Sequence, residues 1–136
     1  MIIVQSALEG REFDYIHSRN ELAPLQFVLG GNWEYDHGSF DRFLDERRMV
    51  WLRLPFRMTQ GTLDSEVRDT EARLWFDRPY VLKHVYEEGL DEAARLSTYG
   101  AMLDQFQSPT DPDADIEPQW LEQAREVLRL VEQTLK

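Results

Sequence analysis

The sequence predicts an α+β fold: an antiparallel sheet of about five strands, with an N-terminal helix and a long C-terminal amphipathic helix. Three observations carry this. Residues Met49 to Met58 alternate strictly, with Val50, Leu52, Leu54, Phe56 and Met58 on one side of a strand and Met49, Trp51, Arg53, Pro55 and Arg57 on the other. Trp120, Leu121, Ala124, Val127, Leu128, Val131 and Leu135 repeat at helical spacing after Pro118, which suits a first helical position. Between the termini, short extended segments follow one another across turns, which sets successive strands antiparallel and leaves the terminal helices to pack on the sheet.

Taken in order, residues 2–5 form a short strand and Leu8-Glu9-Gly10 a turn. Arg11 to Leu22 is helical, with Phe13, Ile16 and Asn20 on one stripe and Pro24 ending it. Phe27 to Asp36 is a strand whose alternation sets Trp33 and Tyr35 on one face. Its Gly30-Gly31 pair implies a bend or a close neighbour, at Gly30 or at Gly31. Asp36 to Ser39 reads as a turn, Phe40 to Asp45 as the next strand, and Glu46-Arg47-Arg48 as a polar connection to Met49–Met58. Pro55 has no N–H for a ladder and implies an edge or bulge. Glu71 to Asp77 and Tyr80 to Tyr86 are extended. Residues 90–106 are ambiguous, a helical hint interrupted by Gly100, and 108–115 are a loop. On the wet side of the last helix, Glu122–Arg125, Glu126–Arg129 and Glu132–Lys136 are spaced to pair.

At 136 residues, with 42% of them hydrophobic, the chain suits one domain, 1–136, with an ordinary core. The net charge is −11. Residues 1–60 carry 7 basic and 9 acidic side chains and residues 61–136 carry 8 and 17, so the acidity lies in the second half. Such a surface repels phosphate backbones and anionic membranes, so no nucleic acid or membrane partner is expected. There is no cysteine, which excludes disulfides, thiolate metal sites and a cysteine nucleophile and fits a reducing cytoplasm. The start, Met1-Ile2-Ile3-Val4-Gln5, lacks a basic n-region, and its apolar run is too short for a signal peptide.

Several blocks together resemble the YugN-like family of small bacterial proteins. They are Ser6-x-Leu8-Glu9-Gly10, Phe27-Val28-x-Gly30-Gly31-x-Trp33-Glu34-Tyr35, Phe40-Asp41, Leu52-Arg53 and Lys83-His84-x-Tyr86, followed by the C-terminal amphipathic helix. The resemblance implies a bacterial cytosolic protein. It implies no activity, and no catalytic residue is carried over from it.

The residues themselves supply no catalytic constellation. His17, His37 and His84 have no mutual helical or strand spacing for a metal, and no metal or cofactor is expected. Asp111-x-Asp113-x-Asp115 opens like a calcium loop with Glu122 at the twelfth position. Ile116 stands where that loop needs glycine, so the stretch reads as a solvated acidic loop. Gly30-Gly31 lacks the third glycine and the following helix of a phosphate cradle. The most suggestive feature is the side of the strands away from the aliphatic face, where Trp51, Arg53, Arg73 and Trp75 stand. Tryptophan and arginine are enriched at binding hot spots. Three coverings compete for this face: a helix of the same chain, a second copy in a homodimer, or a ligand or another protein. Two functions follow. One is a non-enzymatic interaction module that self-associates. The other is a small enzyme or sensor in which Arg53 and Arg73 hold an anionic metabolite and His84 or Glu34 moves a proton.

Overall fold

The computed structural model describes residues 1–63, 71–84 and 115–135. In chain order the elements are β1 (Ile2–Ile3), β2 (Glu12–Asp14), α1 (Tyr15–Leu22), a 3-10 turn (Ala23–Leu25), β3 (Val28–Leu29), β4 (His37–Phe43), β5 (Val50–Gln60), β6 (Arg73–Phe76), β7 (Tyr80–Lys83) and α2 (Pro118–Thr134). All strand pairings between these elements are antiparallel, which gives the α+β class.

Seven strands occupy five lateral positions. β5 pairs with β4 on one side, and β3 lies beyond β4 at the edge. On its other side β5 pairs with β7 along Val50–Arg53 and with β6 along Phe56–Gln60. β6 and β7 are thus one line with an interruption, since residues 77–79 face only Leu54 and Pro55 between the pairs Arg53–Tyr80 and Phe56–Phe76. Pro55 sits at this seam, where its carbonyl accepts from the Asp77 N–H at 2.8 Å and no regular ladder needs its missing donor. β1 and β2 line the far edge, on β7 and β6 respectively.

Alternation along β5 buries Val50, Leu52, Leu54 and Phe56, and both helices pack on that side. Tyr15 and Leu22 of α1 and Ala124, Val127, Leu128 and Val131 of α2 join Phe40, Leu74, Phe76 and Val81 in one core. Phe40 and Phe56 meet at 4.9 Å between ring centroids.

Several boundaries differ from those expected, each for a local reason. Glu12–Asp14 is a strand and not the start of the helix, because pairing with β6 satisfies its backbone and inserts Phe13 into the core. The buried stripe of α1 is therefore Tyr15, Ser18 and Leu22. The expected strand from Phe27 to Asp36 is regular only at Val28–Leu29. Trp33 is half-buried against the core while Tyr35 is exposed on a turn, so the two do not share a strand face. β4 begins at His37, inside the expected turn, because the Glu34 backbone N–H donates to the His37 carbonyl at 2.8 Å and closes the chain two residues earlier. On α2, Glu132 accepts from the Ala7 N–H at 3.3 Å and Arg129 turns to the Arg125 carbonyl at 3.4 Å. The expected readings of residues 90–106, of Tyr86 and of Asp111 and Asp113 lie outside the described residues.

Candidate functional site

The face of the sheet opposite the helices is built from cross-strand rows. One row crosses all five positions: Ile3 on β1, Tyr80 on β7, Arg53 on β5, Asp41 on β4 and Val28 on β3. Directly opposed residues share a face, so these five side chains form a band. Its ends are apolar and open, with Ile3 51% and Val28 62% exposed. Its centre is ionic. Asp41 is buried, and its carboxylate accepts from Arg53 Nε at 3.0 Å and Nη2 at 3.2 Å in a two-pronged pair. Arg53 Nη1 donates to the Tyr80 hydroxyl at 3.3 Å, and its guanidinium carbon stands 5.9 Å from the Tyr80 ring centroid. Burial opposes the Arg53 charge, but Asp41 and Tyr80 more than compensate and hold its pKa above the ordinary value.

A second row, Leu82–Trp51–Phe43, lies beside the first. Trp51 meets Phe43 edge-on at 5.8 Å and donates its indole N–H to the Arg48 carbonyl at 2.8 Å. His84, just after the end of β7, donates its backbone N–H to the Met49 carbonyl at 2.8 Å. Burial, and then the Arg53 charge, push the His84 pKa down, with Asp41 opposing.

Arg73 and Trp75 belong to a different cluster on the same face. Trp75 stands opposite Arg57 on β5 and Glu12 on β2. Arg73 pairs with Gln60, bonds Glu12 Oε1 at 3.0 Å and reaches Asp14 Oδ1 at 2.6 Å. The Glu12 carboxylate also accepts from Thr59, and this bond with the Arg73 bond lowers its pKa. From Arg53 to Gln60 the strand advances about 23 Å at roughly 3.3 Å per residue. Trp51 and Arg53 thus come together, as do Arg73 and Trp75, but the two arginines do not converge on one small anion. Glu34 is exposed in the turn before β4, far along the sheet from His84.

Asp41 and Tyr80 complete the Arg53 cluster, and sequence reasoning assigned them no role in it. The one local signal was Gly30. Its N–H donates to the Ser39 carbonyl at 2.8 Å, and a Cβ built there would lie 2.6 Å from Asp41 Oδ2 and 2.9 Å from Ser39 Oγ. The Ser39 hydroxyl can rotate aside, but the Asp41 carboxylate is held by Arg53. Gly31 has nothing within 4 Å of such a Cβ. Gly30→Ala is accordingly expected to cost about 1–3 kcal/mol by overpacking, and Gly31→Ala less than about 0.5 kcal/mol. Urea denaturation of the two variants checks this, and equal midpoints would show that the close approach does not constrain the fold.

Among the described residues, no group of three histidine, aspartate or glutamate side chains is arranged to hold a metal, and no helix is long and apolar enough to cross a membrane.

The model of the YugN-like family matches residues 3–135. A Bacillus subtilis (strain 168) relative described as uncharacterized protein YugN is 32% identical over 136 residues, covering 99% of this chain and 98% of that one. The crystal structure of an uncharacterized conserved protein YugN from Geobacillus kaustophilus HTA426 superposes with a TM-score of 0.70 at 18% identity. That match covers 99% of this chain and 95% of the other, and it supports the fold.

Proposed function

The chain belongs to the YugN-like family, and on that premise we propose that it is a non-enzymatic interaction module that pairs with a second copy of itself through the outer face of the sheet. The carrying observation is the five-residue band with exposed apolar ends and a neutralised centre. Arg53 already has its carboxylate, so covering it removes no unpaired charge from water. A two-fold axis running along β5 would set Ile3 of one copy against Val28 of the other, and Asp41 against the Tyr80 hydroxyl. Such a self-complementary arrangement is the commonest route to a homodimer. Eleven residues of β5 and five lateral positions give a face of at most about 850 Å² by strand spacing, close to the roughly 800 Å² per partner of a stable interface. Trp51 beside the band is the aromatic anchor.

The rival reading, an anionic metabolite bound between Arg53 and Arg73, has less support. Each arginine is engaged by carboxylates of the chain, and Arg73 stands opposite Gln60, seven residues along β5 from Arg53. A cytoplasmic setting, suggested by the absence of cysteine, belongs to the same proposal.

Sedimentation equilibrium tests it. The parent is expected to be a dimer, and the Trp51→Ser/Trp75→Ser variant a folded monomer with unchanged far-ultraviolet dichroism. A monomeric parent, or a variant that remains dimeric, would overturn the reading.

A further inference from the structure

On the helix side of the sheet, β4 breaks its own alternation. Its inward positions are Gly38, Phe40 and Arg42, opposite Phe56, Leu54 and Leu52 of β5. A guanidinium thus stands where the core pattern calls for an apolar side chain. Arg42 Nη1 donates to the Leu25 carbonyl at 3.1 Å, and Nε is buried with no hydrogen-bond partner. That leaves Nη2 for a groove of about 530 Å³ between β4 and α2. The opposite wall is one stripe of α2, on which Glu122, Glu126 and Leu130 follow at four-residue intervals and stand exposed. Gln123, beside them, is fixed by donating Nε2 to the Leu44 carbonyl at 3.3 Å. Among the described residues, Arg42 pairs with no carboxylate, and Glu122 and Glu126 pair with neither Arg125 nor Arg129. The contrast with Arg53 is direct. Asp41 helps hold the Arg53 pKa up, whereas burial alone acts on Arg42 and pushes its pKa down.

We infer that this groove binds a free basic α-amino acid, with its carboxylate on Arg42 and its two cationic groups on Glu122 and Glu126. A partly buried guanidinium without a counter-ion favours an incoming carboxylate. Nη2 and the second Nη1 hydrogen form an end-on fork for its two oxygens, and the bond to Leu25 already holds that fork in place. The signs of the wall groups select the rest of the ligand. A simple anion would suit Arg42 but meet both glutamates, within a chain half of net charge −9. A simple diamine would suit the glutamates but meet Arg42. A ligand of both signs, with positive charge in excess, neutralises all three groups. Glu122 and Glu126 also repel each other across one helical turn, a rise of about 6 Å at 1.5 Å per residue, and a bound pair of amines relieves this. The four methylenes of a lysine side chain separate its two amines by a comparable span, and Leu130 gives those methylenes an apolar wall. The volume lies within the roughly 300–1,000 Å³ of small-molecule sites. The groove lies on the side of the sheet opposite the outer band, so the inference does not rest on self-association.

Titration of the full chain with lysine, norleucine and cadaverine, followed by amide ¹H–¹⁵N shifts, tests the assignment. Norleucine lacks the side-chain amine and cadaverine lacks the carboxylate. Lysine is expected to bind saturably and at least about tenfold tighter than either, with shifts concentrated at Arg42 and in residues 119–130. Arg42→Gln should abolish the preference for lysine over cadaverine. Glu122→Gln/Glu126→Gln should abolish the preference for lysine over norleucine. The second variant alters exposed side chains only, so it keeps the test decisive if Arg42→Gln does not fold. Cadaverine binding as tightly as lysine would show general attraction of cations to an acidic chain and overturn the inference. Norleucine binding as tightly as lysine, preferences unchanged in the folded variants, shifts centred elsewhere, or no saturation at millimolar lysine would each overturn it as well. These readings do not involve the oligomeric state, so their failure is separable from that of the dimer.

Discussion

Replacing Asp41 with alanine is expected to destabilise the protein by about 2–4 kcal/mol. Removing one member of a buried ion pair strands the other, at a cost of roughly 3–5 kcal/mol when burial is complete. Arg53 keeps 26% of its side-chain surface in water, so the lower part of the range applies. The Tyr80 hydroxyl remains as a neutral acceptor for Nη1 and cannot replace two charge-assisted bonds. The cause is checked by adding Arg53→Met. If the loss comes from a stranded guanidinium, the double variant should recover more than half of it in urea denaturation. If the double variant is less stable than Asp41→Ala alone, Asp41 supports the strands in some way other than through Arg53.

Leu128→Ala is expected to cost about 2–5 kcal/mol. Leu128 faces the sheet from the middle of α2 and is 2% exposed, between Ala124 and Val131, which are fully buried. It belongs to the buried core cluster, so transfer and cavity costs add. Leu130, 49% exposed on the same helix, supplies the control, and its alanine variant should change stability by less than about 0.5 kcal/mol. Matching losses at the two positions, measured by chemical denaturation, would show that α2 is not docked by its apolar stripe.

The contrast between α2 and β3 shows what the sequence made legible. Seventeen residues of unbroken helical spacing from Pro118 onward leave little freedom, and the helix starts at that proline. The same holds for the alternation of β5, where one long strand carries its own pattern. Strands of two or three residues carry no period, so the pattern of β2 merges with that of the helix after it, and nothing in the residues after Leu29 marks the end of the strand there. For the candidate site, alternation was enough to place Trp51 with Arg53 on one face, and Arg73 with Trp75 on one face. It could not reveal that Asp41 and Tyr80 flank Arg53, because that depends on register between strands separated by 12 and 27 residues. It also could not reveal that the seam at residues 77–79 sends Arg73 to the far end of β5.

The pairing order also has a consequence in time. β4 and β5 join through a six-residue connection and can zip within microseconds of leaving the ribosome, as local hairpins do. β1 and β2 are made first, yet their partners β7 and β6 lie 79 and 63 positions further along the chain at Ile2–Val81 and Glu12–Trp75. At roughly 5–20 residues per second of synthesis, the N-terminal strands wait about 3–16 s for an edge to join. During that interval Ile2, Ile3 and Phe13 are apolar residues without a sheet, and the far edge is the last part of the sheet to close. Delayed closure leaves the far edge of the sheet open for longer than any other part of it, and truncation of the N-terminal strands would leave that edge unpaired.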